Sequence, residues 1–244
     1  MISVVIPAKD ELENIQPLVE EIYAALNTEA YAQEGFEIIY VDDGSSDGTF
    51  EEIARLKNNG FPALRALKHA ASVGQSTAVF DGVKAARGEL IVTLDADGQN
   101  NPVNIPAMLE QAYKLPKGSD FCIAGYRKNR KDTAWYRFQS RIANKVRASI
   151  LDDGTPDTGC GLKIFPRATF LQLPYFDHMH RYIPALIKRL EGKIVVVEVD
   201  HRNRQAGESK YNMWNRLWVG LVDMWAVRWL QKRAKISRII DTIE

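Results

Sequence analysis

The chain has 244 residues, 45% hydrophobic and 26% charged, an ordinary globular balance with room for a sizeable core. Its formal net charge of +1 gives no electrostatic reason to expect nucleic acid. The two cysteines, Cys122 and Cys160, build neither a disulfide framework nor metal-ligand spacing, which points to a reduced, cytosolic setting. The charge is unevenly spread. Residues 1 to 60 hold many acids against Lys9, Arg55 and Lys57, whereas residues 126 to 147 hold Arg127, Lys128, Arg130, Lys131, Arg137, Arg141, Lys145 and Arg147 against Asp132 alone. Such asymmetry fits a cation on one side and an anionic partner on the other.

In chain order, residues 2 to 6 predict a short buried strand ended by Pro7, with no basic leader segment before it. A helix follows, capped by Asn14 with Pro17 in its first turn, and Ile15, Leu18, Val19, Ile22 and Leu26 recur at helical spacing. A second strand, 37 to 41, runs into the loop DDGSSDGT and a helix from about Thr49. A third strand spans 64 to 67, a third helix 74 to 86, and a fourth strand 90 to 94 carries LDADGQNNP at its carboxyl end. This alternation over the first 125 residues predicts a mostly parallel sheet with helices on both faces. In such sheets ligands bind beyond the carboxyl ends of the strands, so residues 7 to 11, 42 to 47 and 95 to 99 are expected on one rim. After Gly125 the pattern changes to a basic helix, 135 to 151, a loop at 157 to 161, the segment FDHMHRYIPALIKRL, a strand at 193 to 199 and HRNRQAGESKY. Neither repeat nor flexible linker divides the chain, and the two parts are expected to pack as one unit.

The chemistry concentrates in a few places. Asp95 and Asp97, one residue apart at a strand end and followed by Gln99, offer the hard oxygen ligands that Mg²⁺ or Mn²⁺ takes; turn capping is the plainer role of such residues. Asp42 and Asp43 suit the base and ribose of a nucleotide, while the Gly and Lys spacing of a phosphate-cradling loop is absent. Arg127, Arg204 and Lys210 suit a diphosphate clamp, though singly each reads as a solvated charge. The four histidines lack metal-ligand spacing, apart from a loose His178/His180 pair, and suit structural hydrogen bonding. No Ser or Cys has the setting of a hydrolase nucleophile. Residues 214 to 230 place Trp214, Leu217, Trp218, Leu221, Val222, Trp225 and Trp229 on one helical stripe, with Arg216 and Asp223 opposite. That stripe suits a membrane interface, or equally docking on the protein's own core or a second subunit. No run reaches the roughly 18 apolar residues of a spanning helix.

The segments VVIPAKDE, YVDDGSSDGT, LDADGQNNP, AGYR, SRIAN, DTGCGLKIF and HRNRQAGESKY together resemble family 2 glycosyltransferases of the dolichol-phosphate mannose synthase type, including bacterial polyprenyl-phosphate relatives, over residues 2 to 212. The resemblance implies a GT-A fold over 1 to 212, with a nucleotide-sugar half (1 to 125), an acceptor half (126 to 212) and an amphipathic helical tail (213 to 244). It implies that Pro7, Ala8, Glu11, Val41 and Asp43 hold the nucleoside and that Asp95 and Ala96 line the donor site. Asp97 and Gln99 would bind Mg²⁺ or Mn²⁺, and Arg127, Arg204 and Lys210 would contact donor phosphates or sugar. Arg137, Ser140 and Arg141 would receive the lipid phosphate. The sequence departs from the family pattern at Lys9, Asp10, Gly98 and GLKIF, and it has no counterpart of the membrane-spanning C-terminal helices of some relatives.

The expected reaction is single-displacement, inverting transfer of a sugar from GDP-mannose or a UDP-hexose to a polyprenyl phosphate, by an enzyme peripheral on the cytoplasmic face of a membrane and held there by its tail. A membrane protein or a second copy would be the other occupants of the tail. A phosphate acceptor is already anionic at neutral pH and needs no general base. Transfer to a saccharide or protein hydroxyl would need one, with Asp157 the first candidate. A non-catalytic nucleotide-sugar binding protein is the reading from a different class.

Overall fold

The computed structural model describes residues 1–127, 147, 149–200, 202 and 213–235. One seven-stranded sheet runs through it in the order β3-β2-β1-β4-β6-β5-β7. Its strands are β1 (Ile2–Ala8), β2 (Phe36–Asp42), β3 (Leu64–Lys68), β4 (Leu90–Thr93), β5 (Phe121–Tyr126), β6 (Lys163–Pro166) and β7 (Lys193–Glu198). Only β6 runs against its neighbours, pairing antiparallel with β4 and β5. The central strands β1 and β2 are rich in Val and Ile and almost wholly buried, as strands covered on both faces must be, whereas β3 and β7 at the sheet edges are more exposed.

Successive side chains enter opposite cores. Val4, Ile6, Ile38 and Tyr40 pack beneath α1 (Leu12–Leu26), α3 (Thr49–Asn58) and α5 (Ile105–Tyr113), with α2 (Glu29–Ala32) a single turn beside them. Val5, Ile39 and Val41 pack against α4 (Gln75–Ala85), α6 (Arg167–Leu171), α7 (Ile183–Arg189) and α8 (Met213–Lys232), the last helix among the described residues. The four expected strands of the first half and the strand near 193 are all present. Two differences stand out. α1 begins at Leu12, so Asn14 lies inside the helix and not at its cap, and its amide donates back to the Glu11 carboxylate at 2.6 Å. β5 and β6 were not expected as strands. The predicted helix 135 to 151 falls mostly outside the described residues, its end at 147 and 149–151 being helical.

At the amino end of the sheet, the buried Glu37 carboxylate on β2 accepts from Ser3 Oγ (2.6 Å), the Arg87 N–H (2.6 Å) and Arg65 Nη1 (2.5 Å). Burial raises its proton affinity, but these donors together outweigh it and hold the carboxyl below its usual range. A carboxyl with a lowered folded pKa stabilises the fold above its unfolded value and loses that contribution as pH falls through the folded one. Glu37→Ala is therefore expected to cost about 3 kcal/mol in urea unfolding at pH 7, since it strands Arg65 and the Arg87 N–H. The gap from wild type should narrow as pH drops below 4.5, the ordinary value for this group; a gap independent of pH would refute the assignment.

Candidate active site

The site is set by unequal pairing of β1. Its ladder with β4 stops at Val5↔Thr93, while its ladder with β2 continues to Ala8↔Asp42. Strand order reverses at β1, so a crevice opens there between Ile6 to Ala8 and the chain leaving β4. Leu94 and Ala96 stay buried in the core, which leaves the alternate residues Asp95 and Asp97 partly exposed at the crevice.

Asp95 is gripped on several sides. Its Oδ1 accepts from Gln75 Nε2 at 2.9 Å, and its N–H donates to Asn100 Oδ1 at 3.1 Å. Its carboxylate lies against Gly161, where a Cβ would overlap both it and Asn100 Oδ1. Gly161 is itself held by Thr93, whose hydroxyl donates to its carbonyl at 2.7 Å. Burial and the neighbouring Asp97 charge push the Asp95 carboxyl up to about 6, against the charges of Lys163 and Arg127 and the Gln75 hydrogen bond, which pull it down. Lys163 on β6 is buried, and its ammonium donates to the carbonyls of Thr158 (3.4 Å) and Cys160. Asp97 Oδ1 accepts the Gln99 N–H at 3.1 Å across Gly98, whose φ of 71° suits glycine. This explains why Gly stands at 98.

Two mutually repelling carboxylates and an amide oxygen fit a hard divalent cation, because a cation would offset the repulsion that raises Asp95. Among the described residues no group of three or more His, Cys, Asp or Glu is placed to hold a metal. A magnesium-type site does not require one, since water and substrate phosphates complete its coordination.

Asp43 sits on the same rim, but the protein fills its carboxylate. Oδ1 receives His69 Nδ1 (2.8 Å) and the Val73 N–H (2.9 Å), and Oδ2 receives Ser72 Oγ (2.7 Å) and the Gly74 N–H (3.0 Å). Burial raises its proton affinity, and these four donors outweigh it. A carboxylate has about four lone-pair sites, so a nucleoside contact there displaces one of them. Val41 and Ala8 are buried and can meet a ligand only through their backbone, while Pro7 is half-buried at the end of β1 and Glu11 stands at the start of α1. Lys9 and Asp10, the departures after β1, tie the first two loops together. Lys9 Nζ donates to the carbonyls of Asp43 (3.3 Å) and Gly44 (3.0 Å), and Asp10 Oδ1 accepts the Ser46 N–H at 2.9 Å. Asp47 accepts from Leu12 and Thr49 N–H groups, fixing the starts of α1 and α3 at once.

Arg127 follows β5, with its guanidinium bidentate on Asp157 through Nε (2.6 Å) and Nη2 (2.9 Å). Arg147, counted by sequence among the basic residues facing an anion, is instead buried against Asp153 at 3.4 Å and donates to Thr155 O and Thr158 Oγ1. Burial offers it no route to a lipid phosphate. Arg204, Lys210, Arg137, Ser140 and Arg141 lie outside the described residues. Sequence reasoning missed Gln75, Asn100, Gly161 and Lys163. Asn100 had a signal in LDADGQNNP, whereas the others reach Asp95 only through the fold. Three of the histidines make structural contacts: His69 holds Asp43, His178 Nδ1 pairs with Asp223 at 3.4 Å, and His180 Nδ1 lies 2.7 Å from Ser76 Oγ, while His201 lies outside the described residues.

The family model for glycosyl transferase family 2 matches residues 3–173, and the chain belongs to that family. It is 33% identical over 234 residues to the dodecaprenyl-phosphate galacturonate synthase of Rhizobium johnstonii, covering 95% of this chain and 67% of that protein. It is 32% identical over 212 residues to the undecaprenyl-phosphate 4-deoxy-4-formamido-L-arabinose transferase of Pseudomonas paraeruginosa, covering 87% of this chain and 60% of that one. In structure it resembles a Pyrobaculum calidifontis mannosyltransferase solved with GDP-Man and Mn²⁺, at TM-score 0.66 and 19% identity over 92% of this chain and 63% of that one. Glucosyl-3-phosphoglycerate synthase of Mycobacterium tuberculosis, solved with Mn²⁺, UDP and glucosyl-3-phosphoglycerate, aligns at TM-score 0.64 and 18% identity over 98% of this chain and 81% of that one. The fold is GT-A.

Gly161→Ala is expected to lower turnover and Mn²⁺-dependent nucleotide binding by about tenfold, because the added methyl must push the Asp95 carboxylate aside. Calorimetric titration with Mn²⁺ and UDP or GDP checks it, and wild-type binding by this variant would show that the carboxylate's position is not critical.

Proposed function

We propose that the chain transfers a sugar, with inversion, from a nucleoside-diphosphate sugar to a polyprenyl phosphate at a membrane surface. The observation that carries the reading is the pair Asp95 and Asp97 at the β1/β4 crevice, in a chain one-third identical to transferases named for polyprenyl phosphates. Asp97 and Gln99 would hold Mg²⁺ or Mn²⁺, with Asp95 beside them on the donor. The bound cation would supply positive charge to the departing diphosphate. Pro7, Ala8, Glu11, Val41 and Asp43 form the nucleoside side of the crevice. Arg127, with Arg204 and Lys210, would add charge toward the diphosphate, and Arg137, Ser140 and Arg141 would take the acceptor phosphate.

The hydroxyl-acceptor alternative asks Asp157 to take a proton. That carboxylate is bound bidentately by Nε and Nη2 of Arg127, so a role in positioning Arg127 fits it better than a role as base. A phosphate acceptor needs no base, which favours the lipid phosphate.

The tail supports the same setting. Among the described residues no helix is long and apolar enough to cross a membrane. α8 instead docks on the protein through Met224, Val227 and Leu230, and Gln231 Nε2 donates to the carbonyls of Leu151 (2.9 Å) and Ala185 (3.2 Å). Its other face leaves Val222, Trp225 and Trp229 exposed by 66%, 67% and 59%. The face that docks on the core is therefore not the tryptophan stripe, and Val222, Trp225 and Trp229 are left outward. Trp214, Leu217 and Trp218 fall on the part of α8 whose side chains are outside the described residues. Tryptophans bordered by Arg228, Lys232 and Arg233 suit a lipid headgroup region, which is where a polyprenyl phosphate presents its charge.

The decisive assay is release of UDP or GDP from a panel of nucleotide sugars with Mn²⁺ or Mg²⁺ and a short polyprenyl phosphate. Turnover with one donor is expected to require the lipid phosphate, and Asp97→Ala should reduce it by at least about a hundredfold. Nucleotide-sugar binding without lipid glycosylation would move the hydroxyl-acceptor and non-catalytic readings ahead. In a separate flotation assay, the double variant Trp225→Ala/Trp229→Ala should lose most binding to anionic vesicles while keeping its melting temperature. Unchanged flotation together with a loss of self-association would assign the stripe to a second copy.

A further inference from the structure

The start of α4 reaches three other parts of the chain through consecutive residues. The Val73 and Gly74 N–H groups bind the Asp43 carboxylate at 2.9 and 3.0 Å. Gln75 Nε2 donates to Asp95 Oδ1 at 2.9 Å. Ser76 Oγ lies 2.7 Å from His180 Nδ1 and also accepts the His180 N–H at 3.3 Å. Thr77 Oγ1 lies 2.8 Å from the Tyr175 hydroxyl. Backbone and side-chain bonds thus fix this turn from the β2 loop on one side and the 175–180 segment on the other. Gln75 is the residue within it that points at the donor crevice.

We propose that Gln75 is a positioning residue for sugar transfer: its side-chain amide sets the orientation of the Asp95 carboxylate beside the Asp97 and Gln99 cation site. The inference rests on the donor-site reading above and extends it to a residue outside the motif. Three contacts define the carboxylate's place: Gln75 on Oδ1, Asn100 on the Asp95 N–H, and the bare Gly161 backbone against the carboxylate. The chemistry explains the residue type. An amide N–H satisfies one carboxylate oxygen without bringing a charge of its own to the site. Lysine or arginine there would compete as a counter-ion. Glutamate would keep the size of the side chain, remove the donor and set a third carboxylate beside Asp95 and Asp97.

That last point separates positioning from space-filling. With the full chain, Gln75→Ala and Gln75→Glu are compared with wild type by calorimetric titration of Mn²⁺ with UDP or GDP, by donor KM and kcat, and by thermal melting. We expect Gln75→Ala to weaken Mn²⁺-nucleotide affinity or kcat by about tenfold, the usual cost of losing a group that orients a metal-site carboxylate. Gln75→Glu should be clearly worse than Gln75→Ala while melting like wild type. If Glu is tolerated as well as Gln, or if both variants bind and turn over like wild type, Gln75 merely fills space and the proposal fails. If Gln75→Glu does not fold, the binding loss in Gln75→Ala alone decides. Should wild type bind Mn²⁺-nucleotide yet glycosylate no lipid phosphate, the acceptor reading falls while the binding comparison still judges Gln75.

Discussion

The arrangement depends on one inequality in the sheet: Ile6, Pro7 and Ala8 pair with β2 but not with β4. On the β2 and β3 side the parallel ladders run on past the strand ends into the loops. The Ala8 carbonyl accepts the Asp43 N–H at 2.8 Å, and the Asp42 carbonyl accepts the His69 N–H at 2.9 Å. Each satisfied group draws a loop to the rim of the crevice, so the requirement that buried peptide groups be paired also assembles the walls of the site.

The second ingredient is the control of negative charge. Asp43, Asp95 and Asp97 crowd one rim, and carboxylates so placed need donors or a cation. The chain answers differently at each. Four protein donors occupy Asp43, making it the anchor of the 69–74 loop. Among the described residues Asp95 has a single side-chain donor on its carboxylate in Gln75, with the Lys163 and Arg127 charges nearby, and remains the more perturbed group. The contrast sorts acids that build the site from an acid kept ready for a ligand.

Much of this was legible in the sequence, for reasons that are local. Val- and Ile-rich runs, helical spacing from Ile15 to Leu26, and Asp-Gly-Ser loops act over a few residues, so the first four strands and the rim could be placed directly. What the sequence hid is non-local. β6 is four residues long and begins with a lysine, which looks like a surface residue until β4 and β5 bury it on either side. Gln75 and Gly161 meet at Asp95 from positions far apart in the chain; Gly161 stands in the DTGCGLKIF segment, but neither neighbourhood says that Asp95 is the partner. Arg147 shows the reverse error: a basic run suggests a solvated patch, and only the fold reveals Asp153 beneath one of its members.

The docking of α8 carries a consequence for approach and landing. The helix is joined to the body by the hydrogen bond from the Tyr182 hydroxyl to Gly220 O at 3.0 Å, by His178 on Asp223 and by the two Gln231 bonds to neighbouring carbonyls. It behaves as part of the scaffold and not as a tether on a string. Whatever surface receives Val222, Trp225 and Trp229 therefore fixes the tilt and height of the whole molecule, leaving it free only to slide and to spin about one axis. An acceptor confined to a plane would then meet the crevice at one height and from one side, so that encounters become a search in two dimensions.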